Sequence, residues 1–236
     1  MRAATWPDVV RDRRQAERAR RYHRSSWHFS DTFWRADAAG RPVRVPELKP
    51  GPEHALERIA VFSATVRDAR RPAPERAVAL AWLLHLVGDI HQPLHAASRV
   101  TPASPRGDRG GNDVRVGSGT LHSVWDNALD RSPGRRQGGG RRQGEDARLA
   151  RADEWAAQLP RRYPAERWAR WVADTLPAHW AGESLTLAQR DVYRDVADGM
   201  PLTPAYQAWV RQVSDPQATL AGYRLAVLLE RLLGAP

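Results

Sequence analysis

The 236-residue sequence contains no cysteine. Disulfides, thiolate metal ligands and cysteine nucleophiles are excluded, so any metal site has to be built from histidine and carboxylate. Lysine is almost as scarce. Lys49 is the only one, and arginine carries nearly all the basic charge. No apolar run reaches the roughly 18 residues that a membrane span needs. Residues 1–24 are arginine-rich and lack the apolar stretch of a secretory signal. Strand-like alternation is rare, with Asp113-Val114-Arg115-Val116 the one short candidate, and no internal repeat is visible.

What is present fits one folded domain. Ten Trp and 42% hydrophobic residues can supply a substantial core. The formal net charge of +10 suits an anionic partner such as nucleic acid, although a GC-rich coding sequence would also favour arginine. Helical periodicity predicts helices over about 8–22, 54–70, 74–92, 120–130, 147–159, 165–180, 184–198, 204–213 and 216–233. For the last of these, Asp215 suits an N-cap, Pro216 the first turn and Gly234 the end. Residues 98–119 and the Gly/Arg-rich 132–146 read as loops.

The helix around residues 80–90 is apolar on nearly every side, which places it in the core. Yet it carries His85 and Asp89, which at positions i and i+4 share one face. A buried carboxylate is costly unless paired or bound to a cation. Such a pair alone is satisfied by a structural hydrogen bond, but this one has company. His95 follows just past Pro93. His122 and Asp126 repeat the i, i+4 device, while Asp8 and His28 occupy apolar settings near the start. Imidazole and carboxylate together are zinc ligands, and water on such metals is acidic enough for hydrolysis.

Three blocks carry a resemblance. They are His85-Leu86-Val87-Gly88-Asp89-Ile90-His91-Gln92-Pro93-Leu94-His95, then Gly107-Asp108-Arg109-Gly110-Gly111-Asn112, then Leu121-His122-Ser123-Val124-Trp125-Asp126. With Asp8-Val9-Val10-Arg11, Trp27-His28-Phe29 and Gly222-Tyr223-Arg224-Leu225-Ala226, they span residues 4–226. In order and spacing they resemble the zinc-dependent single-strand nucleases of the S-one/P-one type. The resemblance implies an all-α, multi-helix domain with a metal cleft. It implies that Asp8, His28, His85 and Asp89 bind one zinc and that His95, His122 and Asp126 bind a second. Asp89 would also reach a third zinc, and Asp89 and Asp8 would be the catalytic carboxylates. Phe29 and Asn112 resemble residues that stack and hold a base, and Arg11 one that faces the phosphate. The implied reaction is hydrolysis of single-stranded DNA or RNA to 5′-phosphorylated products, with 3′-nucleotidase activity. The implied setting is secreted or periplasmic, and no protein partner is implied.

The family's N-terminal Trp, which binds the third zinc through its amine and carbonyl, and a His shortly after it both precede the block around Asp8. The expectation is a single domain over 1–236 lacking that segment, with two zinc sites retained and the third incomplete. His23 is the residue closest to replacing the lost ligand, but its arginine-rich surroundings point to solvent. His91, about 240° round the helix from His85, reads as structural or surface. His54 and His179 match no ligand block. Trp34, Trp82, Trp155, Trp168, Trp171, Trp180 and Trp209 read as helical core positions. Other readings stay open: a zinc phospholipase C-like phosphodiesterase, which resembles this family in fold and ligands, or a non-catalytic nucleic-acid-binding relative. A carboxylate di-iron bundle would need Glu-x-x-His pairs, which the motif sites lack.

Overall fold

The computed structural model describes residues 2–129 and 141–234. Among them, helices dominate: α1 Arg2–Val9, α2 Ala16–Tyr22, α3 Ala55–Arg67, α4 Ala73–Asp89, α5 Leu121–Asp126, α6 Arg141–Arg162, α7 Ala169–Ala173, α8 Pro177–Leu187 and α9 Pro204–Leu233. No described helix is long and apolar enough to cross a membrane. Five short strands accompany the helices among the described residues. β1 Thr32–Ala36, β2 Pro42–Arg44 and β3 Ala97–Arg99 form a sheet of order β2-β1-β3, antiparallel on one side of β1 and parallel on the other. β4 Arg115–Val116 and β5 Gly119–Thr120 form a two-stranded hairpin just before α5.

Two apolar clusters hold the domain together and the site lies between them. One surrounds α4, where Trp82, Leu83, Leu86 and Val87 pack with Ile59 and Phe62 of α3 and Trp180 of α8. The other joins Leu121 and Trp125 of α5 to Val114, Val192 and Val210. The helix α4 ends at Asp89, as Pro93 requires. Gln92 then accepts the Leu94 N–H, and a single 3-10 turn, Pro93–His95, turns His95 back towards the end of the helix. In α5, the Thr120 and Ser123 side chains each accept a backbone N–H from the other, and this capping box starts the helix one residue before His122.

Several elements differ from the sequence expectation. The helix over 8–22 is two helices, because the Asp12 side chain accepts the Arg14 N–H and caps a separate turn. The helix over 165–180 breaks at residues 174–176, where Asp174 accepts the Leu176 N–H and Pro177 opens α8. The next element therefore starts earlier than expected and finishes in a π-turn, Ala188–Val192. The expected break at Asp215 and Pro216 is absent: α9 runs straight through. It loses one backbone bond at Pro216, but Val213, Gln217, Leu220, Ala221 and Arg224 are buried on both sides of that point, and packing wins over propensity. The three-stranded sheet was missed because β1 and β3 alternate poorly. Trp34 is a strand residue, and Trp171 is exposed. Residues 132–140 of the expected Gly/Arg-rich loop lie outside the described residues, and 141–146 begin α6.

Arg224 explains the closing sequence block. It is fully buried, donates twice to Glu183 of α8, and donates once to the Trp171 carbonyl in α7. It also donates to His91 Nε2, just past α4, and lies over the Trp180 ring. His91 is thus structural but buried, not a surface residue, and burial first, then the Arg224 charge, push its pKa down to about 3. Replacing Arg224 by Ala should cost about 1–3 kcal/mol, since the buried His91 Nε2 would lose its donor and Glu183 its partner. Urea midpoints measure this, and a loss below about 1 kcal/mol would contradict the assigned role.

Candidate metal centre

Seven side chains from five separated segments converge, and all but His85 line one cleft of about 1150 Å³. Asp8, His28 and His85 each offer a ligand atom within 4.8 Å of the others, and so do His95, His122 and Asp126. Asp89 lies between the two groups. Its Oδ2 is 3.0 Å from both His28 Nδ1 and His85 Nε2, and its Oδ1 is 3.7 Å from His95 Nδ1. All seven metal-ligand candidates from the sequence are brought together. Phe29, Asn112 and Arg11 line the same cleft and are all exposed. Arg11 donates to Asp8 at 3.1 Å.

The outer nitrogens of three imidazoles are already committed. His85 Nδ1 lies 2.8 Å from the Ala4 carbonyl, His95 Nδ1 2.9 Å from the His28 carbonyl and His122 Nδ1 2.8 Å from the Gly110 carbonyl. A carbonyl only accepts, so each Nδ1 carries the proton and each Nε2 presents a lone pair inward. The inward atoms face carboxylate oxygens: His85 Nε2 faces Asp89 at 3.0 Å, His95 Nε2 faces Asp126 at 3.2 Å and His122 Nε2 faces Asp126 at 3.2 Å. Acceptor against acceptor is repulsive unless positive charge stands between them.

Protons can supply that charge. Burial opposes ionisation of Asp89, but His95, His28 and His85 outweigh it and hold the carboxyl well below its usual range. Asp126 is lowered likewise, its burial outweighed by His122 and His95. Burial disfavours an imidazolium at His95, yet Asp89 and Asp126 raise it to about 9. His85 is raised by Asp89 in the same manner, against its burial. A divalent cation in each group would take over from these protons. The donor set is nitrogen and oxygen only, with tautomers fixed by backbone contacts of the kind that orient metal-binding imidazoles. The residues therefore fit metal.

Other residues sort clearly. His23 is partly buried rather than solvated, and burial, then Arg11, lower its pKa. His54 contacts the buried Ser30 hydroxyl, and His179 pairs with Asp174 on the surface. Sequence reasoning missed Asp31 and Arg109, which line the cleft, and gave Gln92 no role. Burial, reinforced by Asp108, raises Asp31 to about 6 against the pull of His95 and His122. Its position three residues after His28 was the available signal. Gln92 donates to Asp126 at 2.8 Å and steadies that carboxylate.

The profile of the S1/P1 nuclease family matches residues 1–234. Endonuclease 5 of Arabidopsis thaliana is 29% identical over 165 residues, covering 66% of this chain and 51% of the relative. Endonuclease 2 of the same plant is 29% identical over 163 residues, 66% of this chain and 52% of the relative. Nuclease P1 of Penicillium citrinum is 25% identical over 198 residues, 76% of this chain and 67% of the relative. The chain spans about half the length of the plant relatives it matches.

The lone-pair geometry predicts that a bound cation stabilises the fold. Titrating the chelated protein with zinc should raise its thermal midpoint, with about 2.7 kcal/mol gained at a hundred times Kd. A midpoint that does not move would contradict the fit.

Proposed function

The chain belongs to the S1/P1 nuclease family, and on that footing we propose that it is a zinc-dependent phosphodiesterase that hydrolyses single-stranded DNA or RNA to 5′-phosphorylated products. Action on 3′-nucleotides and a secreted or periplasmic setting belong to the same reading. The observation that carries it is the pair of His/Asp groups in one cleft, with Asp89 between them and exposed Phe29 and Asn112 beside them.

In this reading Asp8, His28, His85 and Asp89 hold one zinc and His95, His122 and Asp126 hold the other. What zinc supplies when bound is Lewis acidity, which makes water nucleophilic near neutral pH and offsets charge on a phosphoryl group. The remaining work falls to the chain. Asp89, partly buried and shared by both groups, keeps the two halves of the centre at a fixed separation. The Ala4, His28 and Gly110 carbonyls hold three imidazoles in the ligand tautomer. Phe29, 38% exposed at the cleft, offers a ring face to an unpaired base. Asn112 and Asp31 supply an amide and a carboxyl at the same wall for the base edge. Arg11 and Arg109 bring positive charge to the cleft for phosphate. A base can reach Phe29 only when unpaired, which favours single strands over duplex.

Cleavage of a labelled single-stranded oligonucleotide, its duplex and a phosphatidylcholine substrate tests the reading. Single-strand cleavage should exceed duplex cleavage, stop on exhaustive chelation and return with zinc. Asp89→Asn should reduce it to near background, because one carboxylate serves both groups. Cleavage of the phospholipid alone would transfer the assignment to a phospholipase. Turnover that survives chelation would sink the metal mechanism.

A further inference from the structure

The block over residues 107–112 contains an acidic residue that belongs to neither ligand group. Asp108 is 2% exposed. Its Oδ1 accepts the backbone N–H of Arg99 at 2.9 Å and of Gly111 at 3.2 Å, and its Oδ2 accepts the Tyr193 hydroxyl at 2.7 Å. A carboxylate this deeply buried is tolerated because these donors surround it.

The backbone around it needs such an anchor. Gly107, Arg109, Gly110 and Gly111 have φ of +90°, +54°, +61° and +77°. Arg109 is the only one with a side chain to strain there. The loop is also pressed tightly inward. A Cβ on Gly107 would fall 2.4 Å from Ser98 Oγ, and one on Gly110 would fall 2.4 Å from the Leu94 carbonyl. Left to itself, a loop with four residues in this region would sample many conformations.

Tyr193 reaches Asp108 because of the π-turn before it. Its N–H donates to the Ala188 carbonyl five residues back, which places the ring against Trp34 at 5.4 Å. The Arg99 guanidinium covers that ring at 4.4 Å. Burial, with Asp108 adding to it, pushes the phenol well above its usual pKa, so it remains a donor.

Three functional contacts hang from the loop that Asp108 anchors. The Gly110 carbonyl accepts from His122 Nδ1 at 2.8 Å and so turns His122 Nε2 towards Asp126. Asn112 lines the cleft, with its Nδ2 donating to the Arg109 carbonyl at 2.9 Å. Arg109 lines it too, restrained only by a 3.5 Å contact with Asp113 among the described ion pairs.

We propose that Asp108 is a positioning residue that couples the two ends of the site, setting His122 for the second metal through Gly110 and setting Asn112 and Arg109 for the nucleotide through Gly111. This rests on the zinc nuclease reading. It assigns Asp108 and Tyr193 a job that neither touches directly, at the ligand and at the substrate together.

The test uses the full chain and three variants: Asp108→Ala, Asp108→Asn and Tyr193→Phe. Zinc affinity is read by competition with a chromophoric chelator, and KM and kcat on a labelled single-stranded oligonucleotide. Asp108→Ala should weaken one of the two zincs by about 10–100-fold, the range for loss of an outer contact to a metal-binding imidazole. It should leave the other zinc bound and raise KM. Asp108→Asn keeps the acceptor oxygen and the shape, and should recover most of both. Tyr193→Phe removes a single hydrogen bond and should shift both readouts in the same direction by less. A variant pattern that lowers the thermal midpoint while both zinc affinities and KM stay at wild-type values would overturn the proposal and leave Asp108 a fold residue. If Asp108→Ala fails to fold, Tyr193→Phe decides: unchanged zinc affinity and KM refute it. Wild-type protein that takes up no zinc and cleaves no single strand would instead bring down the underlying reading, and the proposal with it.

Discussion

Asp89 at the end of an apolar helix confronts the inward-facing lone pair of His85 Nε2 across 3.0 Å, and much of the architecture near the cleft can be understood as a response to that contact. A carboxylate set against an acceptor is stabilised by positive charge between them, and protons or metal are the two ways to provide it. The protein has removed the option of turning the rings away. Three of the four imidazoles are tied outward to backbone carbonyls from residues 4, 28 and 110. Because those carbonyls sit on distant segments, the N-terminal helix, the 3-10 turn at Ser25–His28 and the loop over 107–112 must all be docked before the centre exists. Folding and the capacity to hold a cation are one event in this chain.

The supports behind the cleft follow the same logic. Arg224 ties the stretch just past α4 to Trp171 of α7 and Glu183 of α8 around a buried guanidinium, which steadies the residues beyond Asp89. Asp108 does the equivalent for the opposite wall. Each is a buried charge that would be costly alone and is tolerated because several donors or acceptors converge on it. The cleft residues proposed to face the substrate contrast with these. Phe29, Arg11, Arg109 and Asn112 are exposed and lightly held, as recognition by a mobile chain requires.

Much of the centre was legible from residue types alone. An HxxxD face on an all-apolar helix has few satisfactory explanations, and its repetition at His122 and Asp126 narrowed them further. Capping and proline logic correctly closed α4 before Pro93 and ended α9 at Gly234. The failures have local causes. Pro216 looked like a helix start, but burial on both flanks carried α9 through it. Burial along residues 32–36 falls from one end to the other rather than alternating, and they pair with β3 from far along the chain, so no local period revealed the sheet. His91 was left open between a structural and a surface role because its partner Arg224 is 133 positions away. Asp108 lay in a quoted motif without a function, since its meaning depends on Tyr193 and on a backbone geometry that only the fold displays.

The account rests on positive charge bound between these particular side chains. Anomalous diffraction at the zinc absorption edge, on crystals of the zinc-loaded protein, tests that most directly. Two peaks are predicted, one bounded by Asp8, His28, His85 and Asp89 and one by His95, His122 and Asp126. An empty cleft, or zinc found only at surface residues such as His179, would contradict the account.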